Sequence, residues 1–324
     1  MQTGSSRSVC GVLAALLVAV GSVAATPEAS PIFTLVDPRD DDHGDGTMVY
    51  PLRDDLNPGD LDLLSLTARP EKGGYVFEAT MARRIRPPAR RTIDSIGTSL
   101  DTVARFGFYT LNIDVYIDTD RVEGSGSTLT LPGRRAAVHP RDAWEKVVCL
   151  TPRPFEAREV LKSLLEREAR AEVRRRQGRV DAAERQSIEA GVARDVAEGV
   201  FFPTLVWVAG PRIRFFVPES FLGAPLSPKW GYVVAVSGAD IEQRFDMTTM
   251  LGVGKPEEPR LAIIPLGPGK GRDHFGGGQE DDELQPPLVD ILVPRGFTQE
   301  GILKDYELGT LRPVMLRAVV PAEQ

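Results

Sequence analysis

The stretch FFVPESFLGAPLSPKWGYVVAV, residues 215–236, decides the fold class of this chain. Both of its flanks are rich in β-branched and aromatic residues, which suit a pleated, half-buried strand. Pro218, Gly223, Pro225 and Pro228 lie between the flanks and are expected to break any helix there. The stretch therefore predicts two strands joined by a turn, which is typical of a β domain.

Short strands of this kind are predicted along most of the chain, with Phe108–Ile117 as the clearest example because its side chains alternate. Residues 155–199 differ, since they contain many helix formers and apolar residues at helical spacing. No regular alternation of strand and helix occurs, which favours a sandwich over a doubly wound sheet. We predict one mainly β domain, residues 26–324, folded as an antiparallel, jelly-roll-like β-sandwich with an α-helical hairpin inserted at 155–199.

Composition excludes some classes of partner. The chain has 324 residues and a formal net charge of -7, so the basic face that nucleic acids require is not expected. Cys10 and Cys149 are its two cysteines, and Cys10 precedes an apolar segment, so no internal disulfide is expected in a processed chain. The acidity suits a soluble protein or oxygen ligands for a hard cation.

The N-terminus has the pattern of a secretory signal. Arg7 precedes the apolar run Val12–Val23, which is short for a membrane span, and small residues follow it at Ala24 and Ala25. We predict a signal peptide at residues 1–25, a secreted or periplasmic protein, and no membrane span after cleavage. A retained membrane anchor is the alternative.

The acidic loop Asp37–Gly46 contains five aspartates and invites a calcium interpretation. The loop lacks the spacing of an EF-hand. We predict a Ca²⁺ site of another type, in which Asp41 and Asp42 meet Asp62 or Asp114 from neighbouring strands. A solvated acidic turn is an equally weighted alternative, and for the second acidic turn, at 118–120, aspartates that cap their own backbone are favoured.

No catalytic signature is present. The three histidines stand in no H-E-x-x-H motif, and no G-x-S-x-G occurs, so we expect a protein that is not an enzyme. A glycoside hydrolase stays open because it needs only two suitably spaced carboxylates. Trp144, Tyr109 and Trp230 are candidate platforms for stacking on sugar rings, although large aromatic residues more often fill a core.

Several separated segments together resemble one family. In order, they are Asp41-Asp42-x-Gly44, Tyr50-Pro51, Pro58-Gly59-x-Leu61-Asp62-Leu63, Ile113–Asp118, Gly124-Ser125-Gly126, Leu131–Arg134 with Trp144, Val217-Pro218, Leu222-Gly223-x-Pro225, Trp230-Gly231-Tyr232, Phe275–Gly278, Asp290 and Gln299–Tyr306. This series is similar to the C-terminal binding module of glucodextranase and covers roughly Ile32–Val320. The resemblance implies a β-sandwich that binds carbohydrate or a cell surface, without catalysis, and that holds calcium.

The chain departs from the family pattern in three respects. We expect a free-standing module with no glycosidase domain attached; the helical hairpin is inserted between Trp144 and Phe201; and Leu61 stands where the family has an aromatic residue. We therefore predict a secreted, non-catalytic module for a polysaccharide or cell-envelope glycan. The alternatives are an envelope module that captures a protein partner through the hairpin, and a glycoside hydrolase.

Overall fold

The structure is a computed structural model that describes residues 29–93, 97–241, 260–278 and 284–324. Its described part is mainly β, as the sequence predicts. The expected signal peptide lies outside the described residues. The strands are β1 (Phe33–Val36), β2 (Leu63–Glu71), β3 (Gly74–Met81), β4 (Leu111–Asp118), β5 (Ala136–Val138), β6 (Lys146–Leu150), β7 (Val200–Phe201), β8 (Val206–Ala209), β9 (Arg212–Pro218), β10 (Gly231–Gly238), β11 (Asp290–Ile291) and β12 (Val314–Leu316).

The α-helices of the described part are few and mostly short. They are α1 (Leu100–Val103), α2 (Pro154–Gln177), α3 (Ala182–Gly199), α4 (Glu219–Leu222) and α5 (Gln299–Leu303). Two 3₁₀ turns, Pro140–Asp142 and Pro321–Glu323, complete the elements. Within the described ranges, no helix is both long enough and apolar enough to cross a membrane.

Two five-stranded sheets make up the body of the protein. The first sheet has the order β1-β2-β3-β9-β8 and is antiparallel throughout. The second sheet has the order β11-β10-β4-β6-β7 and is mixed, because β6 and β7 run parallel. A small parallel pair, β5 with β12, stands apart from both sheets.

Both large sheets contribute side chains to one hydrophobic core. Leu66, Phe77 and Phe215 reach it from the first sheet, and Val115 and Val234 reach it from the second. The alternation within each strand explains this, because successive residues of a strand point to opposite faces. A second cluster covers the other face of the second sheet and includes residues of the helical hairpin.

Residues 215–236 connect the two sheets. Their first strand, β9, pairs with β3 and β8, whereas β10 pairs with β4 and β11. The expectation that no helix forms between these strands is wrong, because helix α4 begins directly after Pro218. Gly223 ends this helix with φ 78°, a left-handed conformation that suits glycine. The prolines and glycine therefore limit the helix to a single turn.

The helical segment follows the local signals in the sequence. Helix α2 begins with a proline in its first turn and ends at Gly178, whose φ is 78°. Helix α3 begins at a capping box in which Asp181 and Glu184 bind each other's backbone N–H groups. Leu161 and Val196 are buried in the second cluster, so the apolar stripe packs on the protein itself.

Candidate functional site

A group of aspartates lies where the N-terminal acidic loop meets both sheets. Asp37 follows β1 directly, Asp41 belongs to the loop, Asp62 precedes β2, and Asp290 begins β11. Asp37, Asp62 and Asp290 are buried, with 7%, 0% and 0% of their surface exposed. We call these four residues the acidic cluster.

The geometry of the acidic cluster would allow it to hold an ion. Asp37, Asp41 and Asp290 each offer a carboxylate oxygen, and these oxygens all lie within 4.8 Å of one another. Four buried oxygens, Asp37 Oδ2, Asp41 Oδ1, Asp62 Oδ1 and Asp290 Oδ1, accept no hydrogen bond within the described residues. An unsatisfied buried carboxylate oxygen is costly, so the three carboxylates that lie together, Asp37, Asp41 and Asp290, would gain from a common partner.

Electrostatics agree with the geometry. Burial, reinforced by the charges of Asp41 and Asp62, raises the pKa of Asp37 to about 8. Burial and the charge of Asp62 likewise raise the pKa of Asp41 to about 6. The pKa of Asp290 is raised well above its usual value by burial and then by Asp37 and Asp41. These carboxylates repel one another, and a bound cation would reverse that repulsion.

Backbone contacts hold the carboxylates in place. Asp62 Oδ2 accepts a hydrogen bond from Asp40 N at 2.8 Å, and Asp290 Oδ2 accepts one from Leu63 N at 2.6 Å. Asp40 has φ 69°, a left-handed conformation that aspartate tolerates better than most residues. One oxygen of each anchored carboxylate is thus fixed by the chain, and the other stays available.

Helix α5 supports the same loop. Gln299 Oε1 accepts a hydrogen bond from Ile291 N at 2.8 Å, while its Nε2 donates to the carbonyl oxygens of Asp41 and Gly44. A Cβ atom at Gly44 would lie 2.9 Å from Leu288 O, and the residue has φ 62°, so the close approach requires glycine. These contacts bind the loop to the β11 region.

The donor set of the acidic cluster suits a hard cation. The three candidate ligands that lie together, Asp37, Asp41 and Asp290, are all carboxylates, which favours calcium or magnesium over zinc, since zinc favours nitrogen and sulfur. Two ligands on opposite sides of a calcium ion lie about 4.8 Å apart, because Ca–O distances are about 2.4 Å. The residues present could therefore hold one hard cation, such as calcium or magnesium.

The four aspartates that the sequence proposed as metal ligands have separate positions. Asp41 and Asp62 lie in the acidic cluster. Asp42 is buried next to it, where its Oδ2 accepts hydrogen bonds from the Tyr50 hydroxyl and from Gly59 N, the latter at 2.6 Å. Asp42 thus fixes the loop through hydrogen bonds of its own.

Asp114 lies elsewhere. Its two oxygens accept hydrogen bonds from Arg134 Nε at 2.7 Å and Nη2 at 3.2 Å, and both side chains are buried. The guanidinium also donates to the carbonyl oxygens of Pro132 and Leu261. The carboxylate of Asp114 is therefore neutralised by a cation of the chain, and the structure does not bring it together with Asp41 and Asp62.

Two residues of the acidic cluster were not proposed as ligands. Asp37 stands in the acidic loop, and Asp290 stands inside the apolar run Leu288–Val293. A single aspartate in a buried strand needs a partner, so that position carried a signal. No local pattern in the sequence indicates that strand β11 lies beside the loop.

A second acidic group, Asp118, Asp120 and Glu145, has partners within the chain. Asp118 Oδ1 accepts a hydrogen bond from Arg121 N at 2.7 Å, and Asp120 Oδ1 accepts one from Val122 N at 2.8 Å. These are the backbone contacts expected of turn aspartates.

The three proposed aromatic platforms are largely covered. Trp230 and Tyr109 are buried, with 8% and 4% of their surface exposed. Trp144 is half-buried: its Nε1 donates to Leu129 O, and its ring packs on Tyr116 with centroids 5.6 Å apart. Trp207, by contrast, is 52% exposed on β8.

Comparison with known proteins gives one family. A family model described as the C-terminal binding module, SLH-like, of glucodextranase matches residues 32–318. The match includes the acidic cluster, both sheets and the helical hairpin. No curated protein matches the chain.

Proposed function

We propose that this chain, which belongs to the family of the SLH-like C-terminal binding module of glucodextranase, is a non-catalytic module that binds carbohydrate or a cell surface. The observation that carries the proposal is the family match, which spans residues 32–318 and leaves only short segments at either end. We further infer that the two sheets face each other as a sandwich, an arrangement supported by their shared core.

The acidic cluster argues against the alternative of a glycoside hydrolase. Catalytic carboxylates of such enzymes lie about 5–9.5 Å apart and face a substrate. Here the oxygens of Asp37, Asp41 and Asp290 lie within 4.8 Å of one another, and Asp290 has no exposed surface. A sugar could not reach carboxylates that are enclosed in this way, so binding a small ion is the better use of the cluster.

Calcium has a structural part in the proposed function. Bound by Asp37, Asp41 and Asp290, with Asp62 beside them, a calcium ion would supply positive charge to carboxylates that otherwise repel one another. The ion would join the N-terminal loop to β11 and thereby connect the two sheets. An exported, surface-binding protein would meet abundant calcium, so the proposal fits a location outside the cytoplasm.

The helical hairpin packs on the β domain itself. Its apolar residues Leu161 and Val196 pack on the second cluster, which favours a structural use within the domain. Removal of residues 155–199 tests the alternative of a protein partner, since that alternative requires partner capture to disappear while the sheets stay folded.

The direct test is binding of the full chain to immobilised α-glucans, acidic polysaccharides and isolated cell envelopes, each with calcium present. We expect retention on at least one glycan or envelope surface and release by the same soluble glycan. Absence of retention on every surface, with a protein that melts cooperatively, would overturn the proposed function.

A further inference from the structure

One row of side chains crosses the whole first sheet at a single level. Trp207 of β8 stands opposite Arg214 of β9, and Arg214 stands opposite Glu78 of β3. Glu78 stands opposite Thr67 of β2, which stands opposite Thr34 of β1. At about 4.8 Å between strands, this row is about 19 Å long. We call it the transverse row.

The transverse row lies on the outer face of the first sheet. The neighbours of its residues along the strands, such as Phe33, Phe77 and Phe215, point into the core. Because side chains alternate along a strand, the row must point the other way. Its two ends are open: Trp207 is 52% exposed, and Thr34 is exposed.

The row combines an aromatic ring with hydrogen-bonding groups. Trp207 stands on the edge strand, where its indole is open to the solvent. The middle of the row is packed, since Thr67 and Glu78 are only 6% and 7% exposed. The Thr34 and Thr67 hydroxyls are 3.1 Å apart and hydrogen-bonded. A fixed polar strip beside an exposed ring is suited to sugars, which have an apolar face and a rim of hydroxyl groups.

The charge around the row is positive. Three guanidinium groups gather about the single carboxylate of Glu78: Arg214 forms a direct ion pair with it, Arg69 approaches to 3.9 Å, and Arg212 approaches to 4.0 Å. This excess of positive charge stands out in a chain whose formal net charge is -7. The face is therefore complementary to an anionic ligand.

We propose that the outer face of the first sheet binds an acidic polysaccharide chain, with one sugar ring stacked on Trp207 and its carboxylate or other anionic groups near Arg212 and Arg214. The proposal rests on the proposed function and names its ligand class and its site. An extended polymer fits the elongated row, whose two ends are open, and the arginines distinguish acidic polymers from neutral glucans.

The test compares the wild-type chain with Trp207→Ala and Arg212→Gln. The probes are polygalacturonate as the acidic polymer and dextran as the neutral one, and binding is measured by titration calorimetry with calcium present. Because Trp207 and Arg212 are exposed, both variants are expected to keep the wild-type Tm. Phe297→Ala is the matched control, since Phe297 is 47% exposed and lies away from the row.

We expect the wild type to prefer polygalacturonate and to bind it more weakly as salt increases. Trp207→Ala should weaken this binding by at least about tenfold, because it removes the one aromatic ring on which the sugar is proposed to stack. Arg212→Gln should weaken it less and reduce its dependence on salt, and Phe297→Ala should bind like the wild type.

Three results would overturn the proposal in distinguishable ways. If Trp207→Ala binds polygalacturonate as tightly as the wild type does, the proposed site is wrong, but the proposed function stands. Equal, salt-independent affinity for dextran and polygalacturonate would remove the acidic ligand class. Absence of binding to both polymers and to every other glycan and envelope surface would remove the proposed function as well.

Discussion

The substitution Asp37→Asn separates an ion site from an ordinary set of buried aspartates. The carboxylate oxygens of Asp37, Asp41 and Asp290 lie within 4.8 Å of one another. Two unit charges at that distance repel by about 3.5 kcal/mol at an effective dielectric constant of about 20. Removal of the Asp37 charge should therefore relieve repulsion in the calcium-free protein, and relaxation and partial protonation reduce the gain to roughly 2 kcal/mol.

The new amide can be accommodated. Asp37 Oδ2, which would become the amide nitrogen, is unpaired, as are Asp41 Oδ1 and Asp290 Oδ1, so the amide protons have acceptors nearby. With excess chelator at pH 8, we expect Asp37→Asn to melt roughly 5 °C above the wild type. With calcium the order should reverse, because an ion at 100 times its Kd stabilises the wild type by about 2.7 kcal/mol and the variant loses a ligand.

The assay is thermal unfolding followed by circular dichroism, with calcium varied from zero to millimolar concentration. Asp120→Asn is the matched control, since Asp120 belongs to the other acidic group and bonds to Val122 N. Its response to calcium should equal that of the wild type. A variant Asp37→Asn that melts below the wild type in chelator, and whose calcium response is unchanged, would refute the reasoning.

Three further predictions follow from the same structure. Chelation of the wild-type protein should lower its Tm by roughly 5 °C, and calcium should restore it more fully than equimolar magnesium does, as differential scanning calorimetry would show. Asp114→Ala should cost about 3–5 kcal/mol in urea unfolding, because it leaves the buried Arg134 unpaired, yet the calcium response should persist. Gly74→Ala would place a Cβ atom 2.3 Å from Val217 O and should cost at least about 1 kcal/mol, whereas Gly191→Ala, with open space in helix α3, should add about 1 kcal/mol.

Local signals were sufficient for much of the fold. Alternation along β4 and helix formers between 155 and 199 act over a few residues, so they can be seen in one sequence. The partners of each strand could not be seen in this way. Nothing within residues 215–236 indicates that β9 joins the first sheet while β10 joins the second, because sheet pairing depends on residues far away in the chain.

The same limit applies to the candidate site. Asp41 and Asp62 were proposed as ligands from an acidic loop and a nearby strand, and both lie in the acidic cluster. Asp290 is more than two hundred residues away from them and joins the cluster only because β11 lies beside the loop. Exposure of an aromatic ring likewise depends on the tertiary structure. The sequence alone therefore does not show that Trp207 is exposed and Trp230 is buried.

Two kinds of buried aspartate in this fold explain why a sequence pattern alone cannot assign a ligand. Asp114 and Asp290 both stand inside apolar strands and both are almost fully buried. Asp114 faces a guanidinium that the chain itself supplies. Asp290 accepts one backbone hydrogen bond from Leu63 N, but within the described residues its other oxygen is unpaired and its charged neighbours are the carboxylates of Asp37 and Asp41. A buried charge needs a compensating charge. Where the chain provides one, as at Asp114, the aspartate is part of the fold. Where it does not, a proton or a cation from solution has to neutralise the carboxylate, which is the physical basis for proposing calcium at Asp290 and not at Asp114.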